Sequence, residues 1–598
     1  MNKIKEQIKK HFSSFTFFYR YLHNAIFIVL GLSMVVSILD AFGLTMFLPL
    51  LQVVGGEGNV NPEEMGRLRF IVEGMANIGF NLTISSVLLF MFLFFCFKGI
   101  VYYFNSIYGV ILQQRFIKRI RLDLLKNLNR MSFKKFILSD AGRIQNTMSG
   151  EVDRVDQAFR TYFTTFQQAA MVIVYMGFAF FLDVQFALLV TVGGVATNLL
   201  YKLIYERTKN ASRKLTGFTS VFQGQIIQHV LHFKYLKATG KIDHYGNRLK
   251  ETINAIENSR RRIGFLNSIG ASAREPMLVA VIAVVILIQV NFLGGAMATI
   301  LITLMFFYRA LTSLLSMQQN WNSYMSVSGS LENLQDFQKE LKSSKEEDGK
   351  EIFRSFTKGI SLQKVDFYYG ETPILKKIDL QIRKNESIAL VGESGSGKTT
   401  LINLITGLLP EDGGVIQVDG QPLKSISKVT YQERIGYVSQ DPVVFNDTLY
   451  NNVTLWAPKI EQNLTRFEKS MRQASLWDFT QELPKGLDTE LGNNGINLSG
   501  GQKQRVSIAR ELFKDIDILI LDEATSALDS ETEKAIQESI NALQGEYTLI
   551  IVAHRLATIR NVDKIALLDK GEIVDVANFE KLVNKQDRFR KMVELQEL

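Results

Sequence analysis

Gly392-Glu393-Ser394-Gly395-Ser396-Gly397-Lys398-Thr399 fits the phosphate-loop pattern G-x-x-x-x-G-K-[ST] at every defined position. Before it stands Ser387-Ile388-Ala389-Leu390-Val391, an apolar run that predicts a buried strand. After it, Thr400-Leu401-Ile402-Asn403-Leu404-Ile405 has helical spacing. A strand, a glycine loop and a helix start aim backbone N–H groups and the positive helix end at an anion. Lys398 is expected to reach the outer phosphates of a nucleotide, and the Thr399 hydroxyl to bind Mg²⁺.

Downstream stand Leu498-Ser499-Gly500-Gly501-Gln502 and then Ile518-Leu519-Ile520-Leu521-Asp522-Glu523. With these the chain resembles the ATP-binding-cassette (ABC) transporters, whose LSGGQ signature is present unaltered. The resemblance extends to Ser526-Ala527-Leu528-Asp529 as the D-loop and His554 as the switch histidine. Gln440 matches the Q-loop, and Tyr369 the aromatic that stacks on adenine. It implies ATP bound by Tyr369, Gly392, Glu393, Ser394, Gly395, Ser396, Gly397, Lys398, Thr399, Thr400 and Gln440. It further implies Mg²⁺ held by Thr399, Gln440 and Asp522, with Glu523 and His554 as the catalytic pair. Phosphoryl transfer asks the protein only to position water and neutralise charge, so these groups suffice. The family also implies that Ser499, Gly500, Gly501 and Gln502 cap ATP held by a second copy, in a dimer that sandwiches two nucleotides. Their place at a helix start suits a γ-phosphate.

The chain has 598 residues, more than one compact domain accommodates, since single cores stop growing near ~250–300 residues. Hydrophobic residues make up 47%, high for a purely soluble enzyme, and mean hydropathy is +0.07. The single Cys96 permits no internal disulfide, consistent with a reducing cytoplasm for the soluble part. The net charge of +9 is modest for this length, and Lys and Arg flank apolar runs rather than forming an aromatic-laced basic face. Nucleic-acid binding is therefore not expected.

Six apolar runs approach the length of a bilayer-crossing helix: 25–54, 84–109, 163–182, 186–204, 277–292 and 298–315. The first starts too far in and runs too long for a cleavable signal peptide. Segments 115–154 and 202–262 are rich in Lys and Arg, which places them, both termini and the C-terminal half in the cytoplasm by the positive-inside rule. The expected location is the inner (plasma) membrane, multi-pass. Both basic segments resemble the intracellular extensions of ABC exporters, with coupling-helix tips expected at 136–153 and 223–240. Lys3 to Lys10 reads as an interfacial elbow helix.

The expected fold is a membrane α-helical domain of six transmembrane helices, 1–338, a polar linker, 339–351, and an α/β P-loop cassette, 352–598. One membrane set and one cassette make a half-transporter that must pair, most simply as a homodimer. Asp40 in the first run, Lys98 in the second and Arg309 in the sixth are charges inside the apolar segments. They are candidates for a substrate path or for a structural ion pair of Asp40 with Arg309 or Lys98. Their pattern resembles bacterial flippases for lipid-linked oligosaccharides. The expected function is an ATP-driven exporter or flippase of an amphipathic substrate such as a lipid or lipid-linked oligosaccharide. The alternatives are an exporter of drugs or peptides and an ABC ATPase with no transport role. An importer normally carries its cassette on a separate chain.

Overall fold

The computed structural model describes residues 14–47, 49–50, 73, 83–182, 184–288, 297–523, 530–553 and 556–595. They form two compact units: Met1–Met131 with Leu138–Lys345, and Ser132–Ile137 with Glu346–Leu598.

The first unit is helical. Its long elements are α1 (Ala25–Thr45) and α2 (Ile84–Leu128). A short helix of the second unit, α3 (Phe133–Ile137), follows in the chain, and then α4 (Ala141–Asn146). Next come α5 (Val152–Leu182), α6 (Val184–Leu231), α7 (Phe233–Ala238) and α8 (Ile242–Ser272). The unit closes with α9 (Arg274–Ile288) and α10 (Met297–Ser343). Among the described residues, Ala25–Thr45, Ile84–Leu128, Ala141–Phe181 and Ile242–Ile288 are long and apolar enough to cross a membrane. The expected spans 186–204 and 298–315 fall in α6 and α10. The ends of the first and fifth expected spans and the segment Lys3 to Lys10 lie outside the described residues.

Helix α2 shows why the helices outrun a bilayer. Thr83 caps it, accepting the Ser86 N–H at 3.3 Å. Its 45 residues reach roughly 68 Å at 1.5 Å per residue, about twice a ~30 Å hydrocarbon core. The first half is apolar and outward-facing. The second half trades that for Arg and Lys outside and a buried stripe of Leu112, Phe116, Ile120 and Leu124 inside. That stripe joins an aromatic core. Phe18 lies 5.3 Å from Phe116, Phe116 stacks on Phe159 at 5.0 Å, and Phe159 meets Phe163 at 4.4 Å. Leu334, Phe337 and Leu341 of α10 complete it.

Those last contacts change the linker. Residues 339–343, expected to open it, continue α10 as helix. The charges there occupy the solvated face of a helix whose i, i+3, i+7 positions remain buried, so packing overrides a composition that reads as a loop.

Where α4 crosses α6, the backbones touch. A Cβ on Gly142 would stand 2.3 Å from the Gly224 nitrogen. A π-helical turn, Thr147–Glu151, follows directly and re-aims the chain into α5.

The second unit is α/β. One sheet is antiparallel, in the order β2 (Thr372–Arg383), β1 (Gly359–Tyr369), β4 (Gly413–Val418), β5 (Gln421–Pro422). The other has the order β10 (Glu572–Ala577), β9 (Lys564–Asp569), β3 (Ser387–Val391), β8 (Thr548–Val552), β7 (Ile518–Asp522), β6 (Ile435–Val438). Strands β9 to β6 are mutually parallel, and only β10 runs against its neighbour. β3, β7 and β8 are buried throughout, as continuous apolar runs in a parallel sheet covered on both faces should be. Helix α11 (Lys398–Ile405) buries Leu401, Ile402, Leu404 and Ile405 in the core shared by the two sheets. A helical lobe carries α12 (Leu449–Thr454), α13 (Glu461–Gln473) and α14 (Gly500–Phe513). The chain ends in α15 (Ser530–Ala542), α16 (Phe579–Lys585) and α17 (Asp587–Glu594).

The first coupling tip was expected at 136–153, but the segment that joins the second unit begins earlier, at Ser132. The Lys134 ammonium lies 3.6 Å from Asp412 and 4.8 Å above the Phe367 ring.

Gly142→Ala should lower the melting temperature of the detergent-solubilised protein by several degrees, because overpacking backbone against backbone costs about 1–3 kcal/mol. Gly217→Ala, where a Cβ meets open space on α6, should leave it unchanged within error. Equal melting curves for both variants would contradict the crossing.

Candidate functional site

β3 delivers the phosphate loop to the C-terminal edge of the parallel sheet, where α/β folds place ligands. The loop is held against β9. A Cβ on Gly392 would stand 2.3 Å from the Leu568 carbonyl oxygen, so no other residue fits. Gly395 (φ +81°) and Gly397 (φ +102°) adopt left-handed geometry, and Gly397 caps α11. The early N–H groups of α11 have no partner within the helix and point into the loop. Lys398 turns back across it, donating to the Gly392 and Glu393 carbonyls at 2.8 and 3.0 Å. The Ser396 hydroxyl is buried without a hydrogen-bond partner. An orphaned hydroxyl among convergent N–H groups and an ammonium fits a phosphate. Ser394 and Thr399 are exposed, and Thr400 is half-buried at the helix start.

β7 ends in the acidic pair. Asp522 is buried and accepts the Tyr437 hydroxyl at 3.1 Å. Burial holds its carboxyl above the ordinary carboxylate range and holds the Lys398 ammonium below the ordinary lysine value, with Asp522 and Glu523 partly opposing the latter. Glu523 follows at φ +51°, a backbone state uncommon outside glycine. Its N–H donates to the Val552 carbonyl at 3.0 Å. Gln440 donates its amide to the Glu523 carboxylate at 2.6 Å. Thus Lys398 after β3, Asp522 and Glu523 at the end of β7, and Gln440 after β6 converge at one edge of the sheet. Thr399, Asp522 and Gln440 offer the hard oxygen donors that suit Mg²⁺, which keeps most of its coordination for water and phosphate.

Tyr369 ends β1, edge-on to Phe367 at 5.0 Å. Ser499 caps α14 in a capping box: its hydroxyl accepts the Gln502 N–H at 3.3 Å, and Gln502 Oε1 accepts the Ser499 N–H at 2.8 Å. Ser499 and Gly500 are exposed and Gly501 is buried. His554 and Ser526 to Asp529 lie outside the described residues. Tyr437 went unnoticed in the sequence. Its signal is slight, one hydroxyl inside the apolar run Ile435-Gly436-Tyr437-Val438.

The family model for the ABC transporter matches residues 375–526, and that for the ABC transporter transmembrane region matches residues 26–318. The chain belongs to the ABC transporter family. An ATP-dependent lipid A-core flippase of Ralstonia nicotianae is 29% identical over 83% of this chain and 85% of its own length. The heterocyst differentiation ATP-binding protein HepA of a Nostoc species is 27% identical over 83% and 81%. A solved bacterial Atm1-family ABC exporter with ATP bound superposes with a TM-score of 0.78 at 21% identity, covering 97% of this chain and 100% of that one. This ABC transporter has the exporter-type fold, binds ATP in its cassette and couples ATP hydrolysis to transport.

In the membrane unit of this transporter, Asp40 on α1 is buried and bonded by two groups, the Lys98 ammonium of α2 and the Tyr175 hydroxyl of α5. Of the two partners the sequence allows, the fold selects Lys98, and it adds Tyr175. Arg309 on α10 is exposed and is not ion-paired with Asp40, although its charge acts on the Tyr175 hydroxyl. The physical reason is register: α1 and α2 lie side by side and bring positions 40 and 98 level. Lys98 also lies 5.3 Å above the Phe95 ring.

Lys98→Met removes the cation and leaves the buried Asp40 carboxylate uncompensated. That should cost on the order of 3–5 kcal/mol and reduce the yield of monodisperse protein sharply. Adding Asp40→Asn should restore it, as read by size-exclusion chromatography. A single variant as stable as the parent would contradict the pairing.

Proposed function

We propose that this ABC transporter is a homodimeric flippase of the inner membrane that moves an amphipathic, lipid-linked substrate out of the cytoplasmic leaflet. The observation that carries the ATPase half of this reading is the Gln440–Glu523 bond beside Lys398 and Asp522. In that arrangement Glu523 is the base that polarises the attacking water and Gln440 orients the carboxylate. Lys398 neutralises the outer phosphates and Tyr369 stacks on adenine, with His554 completing the catalytic pair. Thr399, Asp522 and Gln440 would hold Mg²⁺, which when bound would neutralise charge developing on the phosphoryl oxygens.

The dimer reading is supported by α14. A Cβ on Gly500 would meet nothing within its own chain, so packing in this subunit does not call for glycine there. A γ-phosphate brought up by a second copy would, together with Ser499, Gly501 and Gln502. The lipid reading is supported by the name of the Ralstonia relative, an ATP-dependent lipid A-core flippase. Basic cytoplasmic extensions support placing both termini and the cassette in the cytoplasm. Reconstitution in liposomes tests the substrate class. Lipid-linked glycans or glycolipids should stimulate ATPase activity and be flipped, and stimulation by drugs or peptides alone would favour an exporter of those compounds.

Glu523→Gln should retain ATP binding and lower turnover by about 10²–10³-fold, the scale of losing a preorganised polar group at the reacting centre. Lys398→Ala should abolish ATP binding. Hydrolysis within a few-fold of wild type in the first variant would assign the base elsewhere.

A further inference from the structure

A carboxylate stands inside the phosphate loop, where a triphosphate binds, and it is not left free. Arg588 of α17 forks onto Glu393 Oε1 at 2.7 Å and onto Asp569 Oδ2, at the end of β9, at 2.5 Å. The Glu393 carbonyl in turn accepts the Lys398 ammonium at 3.0 Å and the Ser396 N–H at 3.1 Å. One guanidinium thus ties the C-terminal helix, the edge of the sheet and the residue whose carbonyl holds Lys398.

We propose that Arg588 is a positioning residue for ATP binding: it fixes the phosphate loop at Glu393 and cancels that residue's charge before the nucleotide arrives. An isolated surface pair contributes little, because two long side chains must be ordered in water. This one differs in two respects. α17 is already anchored, with Phe589, the next residue, fully buried and packed 5.5 Å from Phe579. Asp569 lies one residue beyond the Leu568 carbonyl on which Gly392 rests, so the fork reinforces an existing close approach. Without Arg588, Glu393 would present an unbalanced negative charge to an incoming polyanion. The effect then falls on ATP affinity more than on the chemical step.

This inference rests on the reading of the loop as the ATP site, and one experiment separates the two. ATPase kinetics are measured on the full-length transporter in nanodiscs at low salt, with melting curves for each variant. Arg588→Ala should raise KM for ATP about two- to five-fold, with a smaller effect on kcat. Arg588→Lys, which keeps the charge but not the fork, and Asp569→Asn, which loosens only one arm, should give smaller rises. The double variant Arg588→Ala with Glu393→Gln should return KM towards wild type. In about 0.5 M salt the gap between Arg588→Ala and wild type should close, since exposed charges are then screened. An unchanged KM in Arg588→Ala overturns the proposal. So does a raised KM that neither the second substitution nor salt corrects, which would mark lost packing instead. Wild-type ATP affinity in Lys398→Ala would sink the ATP-site reading itself.

Discussion

The cassette depends on one close approach, the phosphate loop lying directly on β9. Gly392 leaves no room for a side chain between its backbone and the Leu568 carbonyl. That contact sets the height of the loop above the sheet and aims the start of α11. The helix is then held by its own buried face, Leu401, Ile402, Leu404 and Ile405. Lys398 is committed to the loop because its ammonium, once buried, must find oxygen partners, and the Gly392 and Glu393 carbonyls are the ones the turn presents.

Around this loop the parallel sheet acts as a register device. Strand ends β6 and β7 stand side by side, Val438 paired with Leu521, so the loops after them must meet. Gln440 stands two residues past the end of β6 and Glu523 one past the end of β7, and they bond. Tyr437 donates to Asp522 from within β6, which fixes the carboxylate beneath the loop. The left-handed backbone at Glu523 is the kind of local strain that a surrounding sheet can sustain.

The membrane unit follows a different logic. Its helices are held by aromatic rings in the extensions and by a small polar group among the apolar stretches. Asp40, Lys98 and Tyr175 satisfy one another where water is scarce, which lets charge persist among helices that otherwise bury Ile, Val, Leu and Phe.

The sequence by itself determined the two-part architecture, the fused order of membrane helices and cassette, and the loop 392–399. These are local properties: apolar runs of bilayer length, a glycine pattern with fixed spacing, and continuous apolar strands. It also marked Asp40 and Lys98 as unusual, because a charge in an apolar run is conspicuous in one dimension. The tertiary structure alone decided which partner Asp40 takes, since two helices meeting at a common level is not written in either one. It alone carried α10 through the charged residues 339–343, because Leu341 had an aromatic core to join. It brought Tyr437 to Asp522 and Arg588 to Glu393, pairs separated by 85 and 195 positions in the chain. No local pattern encodes such pairs, because strand order and the docking of the last helix place them, and both are set by burial summed over the whole cassette.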